Sequence, residues 1–492
     1  MFKKSSLFSV LKKLVGRWTS EKYVIAASLS FYFLLWFTNP SRKIIAAAFV
    51  LLIFVFYYKI KDIKISVFLT YIVSSIIFTG KSYLVQLVPE GIFPQILAPQ
   101  GYVDFMTISY YHIIAFVMFL FLLRHAYEKK FKLKFEKKDI LITIYFFWLV
   151  ISDILGSTRP EVSLFFSLTS LHFLVLYFYV KFFVISKKEY ASLLVAIFIS
   201  QVIFESAISF QQLVINSPVF KNIEAQVDIE YFGFTSDELQ FRFRPVGTFG
   251  HANNLGSAMS FWLVCLISYL YKKNNYLVFI VLIAGVATLA STLSRSSWLG
   301  FGSGLLFLLY FMEKVKRIKT PSVISKNFLV IALMILILAF LFVFPRAEKS
   351  LFGISGGGGY FRVEQIRATL ELIKQNVFFG VGSQMSVPAA LLQVPGSIYS
   401  YVPLGVHNWY FLITAEHGVA ALIIFIALLF TFLVFGIKRI WKANMESTVS
   451  PLQIGLFSGA LSLLVIAIFQ PFVGETFMIL TFAILGGENG KN

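Results

Sequence analysis

One cysteine in 492 residues, Cys265, rules out a disulfide framework within the chain. Acidic residues are scarce as well, with 24 Asp and Glu against 43 Lys and Arg, and charged residues make up only 14%. An ordinary soluble domain does not have this composition. Histidines number six, and no His/Asp/Glu set has the spacing of a zinc site. Alternating apolar and polar runs are missing too, so an outer-membrane barrel is excluded. No Asp-x-Asp pair of the kind a metal-dependent glycosyltransferase uses stands outside the apolar spans, which points to chemistry with no metal and no cofactor. No cleavable signal peptide is expected. Ser5–Trp18 reads instead as a basic amphipathic stretch lying at an interface.

What the chain does have is apolar length. Hydrophobic residues are 58%, aromatics 18% (57 Phe), and mean hydropathy is +0.80. Hydropathy predicts an all-α polytopic membrane protein with about 12–14 spans. These lie near 24–38, 44–60, 65–80, 106–124, 139–156, 161–183, 191–215, 251–271, 276–293, 296–312, 328–345, 408–437, 452–470 and 474–486. A formal charge of +19 raises the question of nucleic-acid binding. The basic residues, however, flank apolar runs, as in Arg124–Lys138, Lys181–Lys188 and Lys314–Lys326. That pattern is the positive-inside bias together with attraction to anionic membrane lipids, not a phosphate-tracking face. With the N-terminus inside, most Lys and Arg fall on the cytoplasmic side.

The expected organisation follows from these spans. Residues 1–23 form a cytoplasmic or interfacial segment and 24–215 an N-terminal transmembrane bundle. Residues 216–345 form core helices carrying arginine motifs, 346–405 an extracytoplasmic lid loop, and 406–492 the C-terminal helices. Within the lid, Val363, Ile366, Leu370 and Ile373 recur at helical spacing, which predicts a helix over 362–376 ending before Gly380-Val381-Gly382. The glycine run 356–359 before it reads as a flexible joint. No internal repeat or pair of broken helices suggests a secondary transporter.

Arginines and a histidine collect on the expected outer side: Arg242, Arg244, Arg295, Arg362, Arg367 and His407. Ionisable groups at membrane depth are costly and usually mark a pathway or site. Arg242-Phe-Arg244-Pro-Val-Gly-Thr-Phe-Gly-His251-Ala-Asn253-Asn254 turns at Pro245 and Gly247 into a span, with His251, Asn253 and Asn254 as helix caps. A guanidinium at such a mouth clamps phosphate oxygens in pairs; the alternative is contact with lipid headgroups. Arg295, in the turn Thr292-Leu-Ser294-Arg295, is either a second clamp or an interfacial anchor. Arg362 and Arg367 open the lid helix, where Glu364 and Arg367 also suit a local pair. His407, at the start of Val406-His407-Asn408-Trp409-Tyr410, is either a proton acceptor or a structural histidine beside an aromatic belt. Glu416 and His417 do not share a face with His407 and are read either as helix-packing residues or as supports for the residues of the site.

These segments, in this order, resemble the O-antigen ligase and polymerase superfamily of bacterial envelope glycosyltransferases. The resemblance rests on Arg244-Pro-Val-Gly-Thr-Phe-Gly-His-Ala-Asn253, Ser294-Arg295, Arg362 with the helix running to Phe379-Gly-Val-Gly382, and His407-Asn-Trp-Tyr410 followed by Glu416-His417-Gly418. It covers roughly residues 190–440. Ala252 stands where the family often has proline, and the tryptophan common a little after the arginine matching Arg362 is missing. The resemblance implies a GT-C-like fold in the bacterial inner membrane with its active site facing outward. It implies a donor glycan on undecaprenyl diphosphate, a glycan, lipid or protein acceptor, and inverting transfer without a metal. Arg244, Arg295 and His407 would then be catalytic. Arg242, Asn253, Arg362, Arg367, Asn408 and Tyr410 would bind substrate. The competing readings are a multi-spanning transporter or flippase of lipid-linked glycans, and a peptidoglycan-type polymerase. The latter would need an outer catalytic aspartate, and Asp228 and Asp237 have no such context.

Overall fold

The computed structural model describes residues 19–38, 41–75, 83–86, 107–130, 135–187, 189–216, 244–270, 275–314, 358–401, 404–446, 451–471 and 474–486. The expected span at 328–345, the interfacial stretch 5–18 and Arg242 lie outside these residues.

The described chain is helical, as expected. Its α-helices are α1 Ser20–Thr38, α2 Arg42–Ile60, α3 Ile63–Ser74, α4 Tyr110–Glu128, α5 Lys137–Gly156, α6 Pro160–Tyr179 and α7 Tyr190–Ile215. After these come α8 Ala252–Leu270, α9 Tyr276–Ser291, α10 Arg295–Lys314, α11 Gly358–Gln375, α12 Ser386–Gln393, α13 Trp409–Glu446, α14 Pro451–Ile466 and α15 Glu475–Gly486. One short ribbon interrupts the pattern: β1 Tyr83–Gln86 pairs antiparallel with β2 Thr107–Ser109. Six described helices are long and apolar enough to cross a membrane: α2, α4, α5, α6 with its π-turn, α7 and α13. α3, α9, α14 and α15 are shorter apolar helices. α8 and α10 have the length, but Asn253, Asn254, Ser257 and Ser260 in one, and Arg295, Ser296, Ser297 and three glycines in the other, dilute their hydropathy. The chain is a multi-pass membrane protein.

A continuous apolar core links these helices. Trp262, Phe261, Phe198 and Phe477 meet at its centre, with Phe261 and Phe477 stacked 4.8 Å apart. Close helix approach depends on small residues. A Cβ on Gly300 or Gly304 of α10 would run into Ile466 or Ser462 of α14. At one end of the bundle, Lys138 donates to the Gly486 carbonyl and Arg439 to that of Leu485 at 2.7 Å, so two cations cap the C-terminus of α15. Lys181 pairs there with the buried Asp139, which also accepts from Tyr177. The arginine motifs lie at the opposite end.

Two sequence expectations change in detail. Gly358 and Gly359 are not a joint but the first residues of α11, because the helix starts a turn earlier than its apolar pattern. The twelfth expected span is not one smooth helix. α13 breaks at Gly418, whose φ of 79° lies in the left-handed region. The break frees carbonyls that the loop after α11 then satisfies. Val381 N–H donates to Ala415 O at 3.0 Å, Gly382 N–H to Glu416 O at 2.8 Å, and Trp148 Nε1–H to His417 O at 3.1 Å. In return Val419 N–H reaches Val377 O at 2.8 Å. Gly380 and Gly418 are needed for this crossing, since a Cβ on either would overlap the opposing main chain.

Candidate active site

The end of the bundle opposite Lys138 gathers the N-termini of α8, α10 and α13. Each carries partial positive charge from its unpaired N–H groups. Polar side chains hold them in register. Ser257 of α8 donates to Gln470 Oε1 at 3.1 Å, and Gln470 Nε2 donates to Ser296 of α10 at 2.6 Å. Trp409 N–H, opening α13, reaches Ala467 O at 2.9 Å just past α14. Gln470 is fully buried and is the bolt among three elements.

The loop 244–251 is held down from α7. Glu205 accepts the Thr248 N–H and Gln212 Oε1 accepts the N–H groups of Val246 and Gly247, while Gln212 Nε2 donates to Gly247 O. Gly247, at φ 56°, has no room for a Cβ against the Glu205 carboxylate. This clamp aims Arg244 across the loop. Its Nε donates to the Thr292 carbonyl at 3.0 Å and Nη2 to Asn253 Oδ1 at 3.4 Å. Arg244 thus ties the last turn of α9 to the first turn of α8. His251 caps α8 as its sequence suggested, with Nδ1 accepting from Asn253 N–H at 3.0 Å.

Arg295 is the first residue of α10 and is exposed. A cation at a helix N-terminus opposes the dipole and gains nothing from the helix itself. The turn before it is tight, with Leu293 at φ 52° and Trp298 Nε1–H donating back to Leu289 O. Arg362, on α11, is half-buried, and its pKa is lowered by burial and by the Arg295 charge. His407 is half-buried just before α13. Burial, Arg362 and His251 push its imidazole down to about 4, so it is neutral at pH 7. His251 is likewise lowered to about 4, by burial and then by Arg244. Arg244, His251, His407, Arg362 and Arg295 are therefore close enough to feel one another's charge, in that sequence. The structure brings together four residues singled out from the sequence, Arg244, Arg295, Arg362 and His407, and adds His251 to them.

The remaining expected site residues have other contacts. Asn408 caps α13, accepting from Phe411 N–H at 3.0 Å and donating to Ile468 O. Tyr410 donates to Leu464 O at 3.1 Å and packs toward Phe425. Asn253 accepts from Arg244. Arg367 is exposed and paired with Glu364 at 3.0 Å, as its local spacing suggested. Five positions from Arg362 along a helix, it points away from the face that carries Arg362.

Several residues were invisible to motif reasoning. Gln365, buried on α11, contacts His407. Glu205 and Gln212 act from α7, and Gln470 from the segment just past α14, all distant in sequence from the residues they hold. Asp153 accepts from Ser383 N–H at 2.8 Å and lies 3.5 Å from His417 Nδ1, which also meets Ser152 at 2.8 Å. That buried network fixes the loop after α11 to α5 and α13, and gives His417 its packing role. A polar residue inside an apolar run was the available signal for Asp153 and Glu205.

Residues 277–426 match the family model Wzy_C, described as O-antigen ligase. The match runs from α9 through the break in α13 and takes in Arg295, Arg362 and His407, but not Arg244. Over that stretch the chain is similar to the O-antigen ligase family, within a multi-pass membrane protein. No curated protein matches the chain, and no solved structure does.

Proposed function

We propose that the protein transfers or polymerises an oligosaccharide carried on undecaprenyl diphosphate, by a metal-independent inverting mechanism at the outer face of the bacterial inner membrane. The observation that carries this reading is the family match over residues 277–426, which takes in Arg295, Arg362 and His407 near the point where three helix N-termini meet. Such a locus is suited to a dianionic group. The outward orientation is supported by the basic residues at the other end of the bundle, such as Lys138, Lys181 and Arg439.

In the proposed step, Nε2 of neutral His407 takes the proton of the acceptor hydroxyl. The hydroxyl oxygen attacks the anomeric carbon from the side opposite the diphosphate. The bond from that carbon to the diphosphate oxygen breaks, and undecaprenyl diphosphate leaves with the electron pair. Arg295 and Arg362 bind the diphosphate and offset the charge that develops on it. Arg244 does so too, while holding α9 against α8. Fixed guanidinium donors aimed at the leaving group stabilise such charge, and general-base removal of the proton contributes about 10²–10⁴-fold. Arg242 and Asn253 flank the diphosphate, Asn408 and Tyr410 shape the acceptor side, and Arg367 meets glycan from the outer surface of α11.

The test uses purified protein in lipid with an undecaprenyl-diphosphate oligosaccharide. Lengthened lipid-linked chains identify a polymerase, and transfer to a separate lipid, glycan or protein identifies a ligase. His407→Ala and Arg295→Ala should abolish product while leaving the protein folded in the membrane. Wild-type product from either variant rejects the mechanism, and movement of the donor across the bilayer without product would favour a flippase.

A further inference from the structure

We infer that Gln365 sets the tautomer of His407, keeping the ring proton on Nδ1 and presenting the Nε2 lone pair as the base. The role of that lone pair rests on the reading of His407 as the proton acceptor; the tautomer itself follows from the hydrogen bonds. Gln365 is 2% exposed on α11. Its amide nitrogen donates to the Leu404 carbonyl at 3.0 Å, and its Oε1 lies 3.0 Å from His407 Nδ1. A carbonyl only accepts, so the nitrogen must face Leu404 and the oxygen must face the imidazole. Flipping the amide would set oxygen against oxygen at Leu404. An amide oxygen also only accepts, so Nδ1 must carry hydrogen. A neutral imidazole has one N–H, which leaves Nε2 bare.

The surroundings keep the ring neutral. Burial acts first, and Arg362 on α11 and His251 before α8 add to it, each disfavouring a second proton. Arg362 and Gln365 stand three residues apart, so one face of α11 carries both a diphosphate-binding cation and the group that aims the base. Leu404 lies in the segment leading to His407, so its carbonyl and the imidazole close a single ring of contacts through Gln365. Gln365 is a positioning residue and need not touch substrate.

The test begins with solid-state NMR of the full-length protein in lipid bilayers, ¹⁵N-labelled at its six histidines. The signal absent from His407→Gln identifies the residue. At neutral pH the wild type should show a protonated Nδ1 and an unprotonated Nε2. Gln365→Leu should give mixed tautomers, and Gln365→Glu should keep the proton on Nδ1. In the transfer assay with undecaprenyl-diphosphate oligosaccharide, Gln365→Leu should lower kcat about ten- to a hundredfold with KM little changed. Gln365→Glu should recover only part of that loss, because its second oxygen meets the Leu404 carbonyl with no hydrogen to donate, and should move the acid limb to higher pH, because a carboxylate beside Nδ1 favours the charged ring. An Nε2–H tautomer in the wild type, or an unchanged tautomer and kcat in Gln365→Leu, overturns the inference. An active His407→Ala instead overturns the proposed function and leaves the NMR result to stand or fall alone.

Discussion

The buried carboxylate of Glu205 accepts both the backbone N–H of Thr248, at 2.9 Å, and its hydroxyl, at 2.5 Å. One side chain of α7 therefore holds the loop that delivers Arg244. Leaving buried donors unpaired costs about 1–3 kcal/mol. Glu205→Ala is expected to lower thermal stability by that order and to reduce glycan transfer. Glu205→Gln should retain more of both, since its amide oxygen can still accept. Melting curves and transfer rates of the two variants in lipid check this.

Gly418 and Gly380 are expected to resist substitution more than any surface glycine. Gly418→Ala puts a Cβ against the Phe378 carbonyl oxygen and forces a left-handed φ on alanine. Strain of this kind costs about 1–3 kcal/mol before the overlap is counted. Gly302→Ala, with open space around it, is the control and should melt like the wild type.

Arg244 and Arg295 should separate into two classes. Arg244→Ala removes a tie to Thr292 and Asn253, so both transfer and melting temperature should fall. Arg295→Ala removes an exposed cation, so transfer should be lost and retention of undecaprenyl diphosphate should fall by about tenfold or more, with less change in melting than Arg244→Ala. Arg295→Lys should recover only part of the loss, because an ammonium does not pair two phosphate oxygens at once.

Stability should depend on pH through His251 and His407. Both are held at about 4 when folded, below their ordinary 6.5. Between those values the unfolded chain binds more protons, so their stabilising contribution is full above about pH 6.5 and is lost as pH falls towards 4. The melting temperature of the wild type should drop across that window, and the drop should be smaller in His251→Gln and His407→Gln. Activity follows the same sign: neutral His407 persists well below pH 6, until protonation near 4 removes the base.

Most of the architecture could be read from apolar runs, because helix length and hydropathy are local properties. α7, α9 and the start of α13 fell within a few residues of their expected positions. The four residues Arg244, Arg295, Arg362 and His407 were legible because charge is conspicuous in such a chain. What holds them was not. Glu205, Gln212, Gln365 and Gln470 reach partners between 34 and 213 residues away, and nothing in a glutamine's local context announces a distant partner. The break in α13 was hidden for a different reason: Gly418 stands just before a long apolar run that reads as one continuous helix, and only tertiary contact shows where the carbonyls of Ala415, Glu416 and His417 go.

The joint between α13 and the loop at 377–382 is made of peptide groups, with glycine at its two tightest points. A seam of this kind cannot absorb the gain or loss of one residue, which would slide donors past their acceptors. Length is therefore as constrained in this stretch of the chain as the identity of its two glycines.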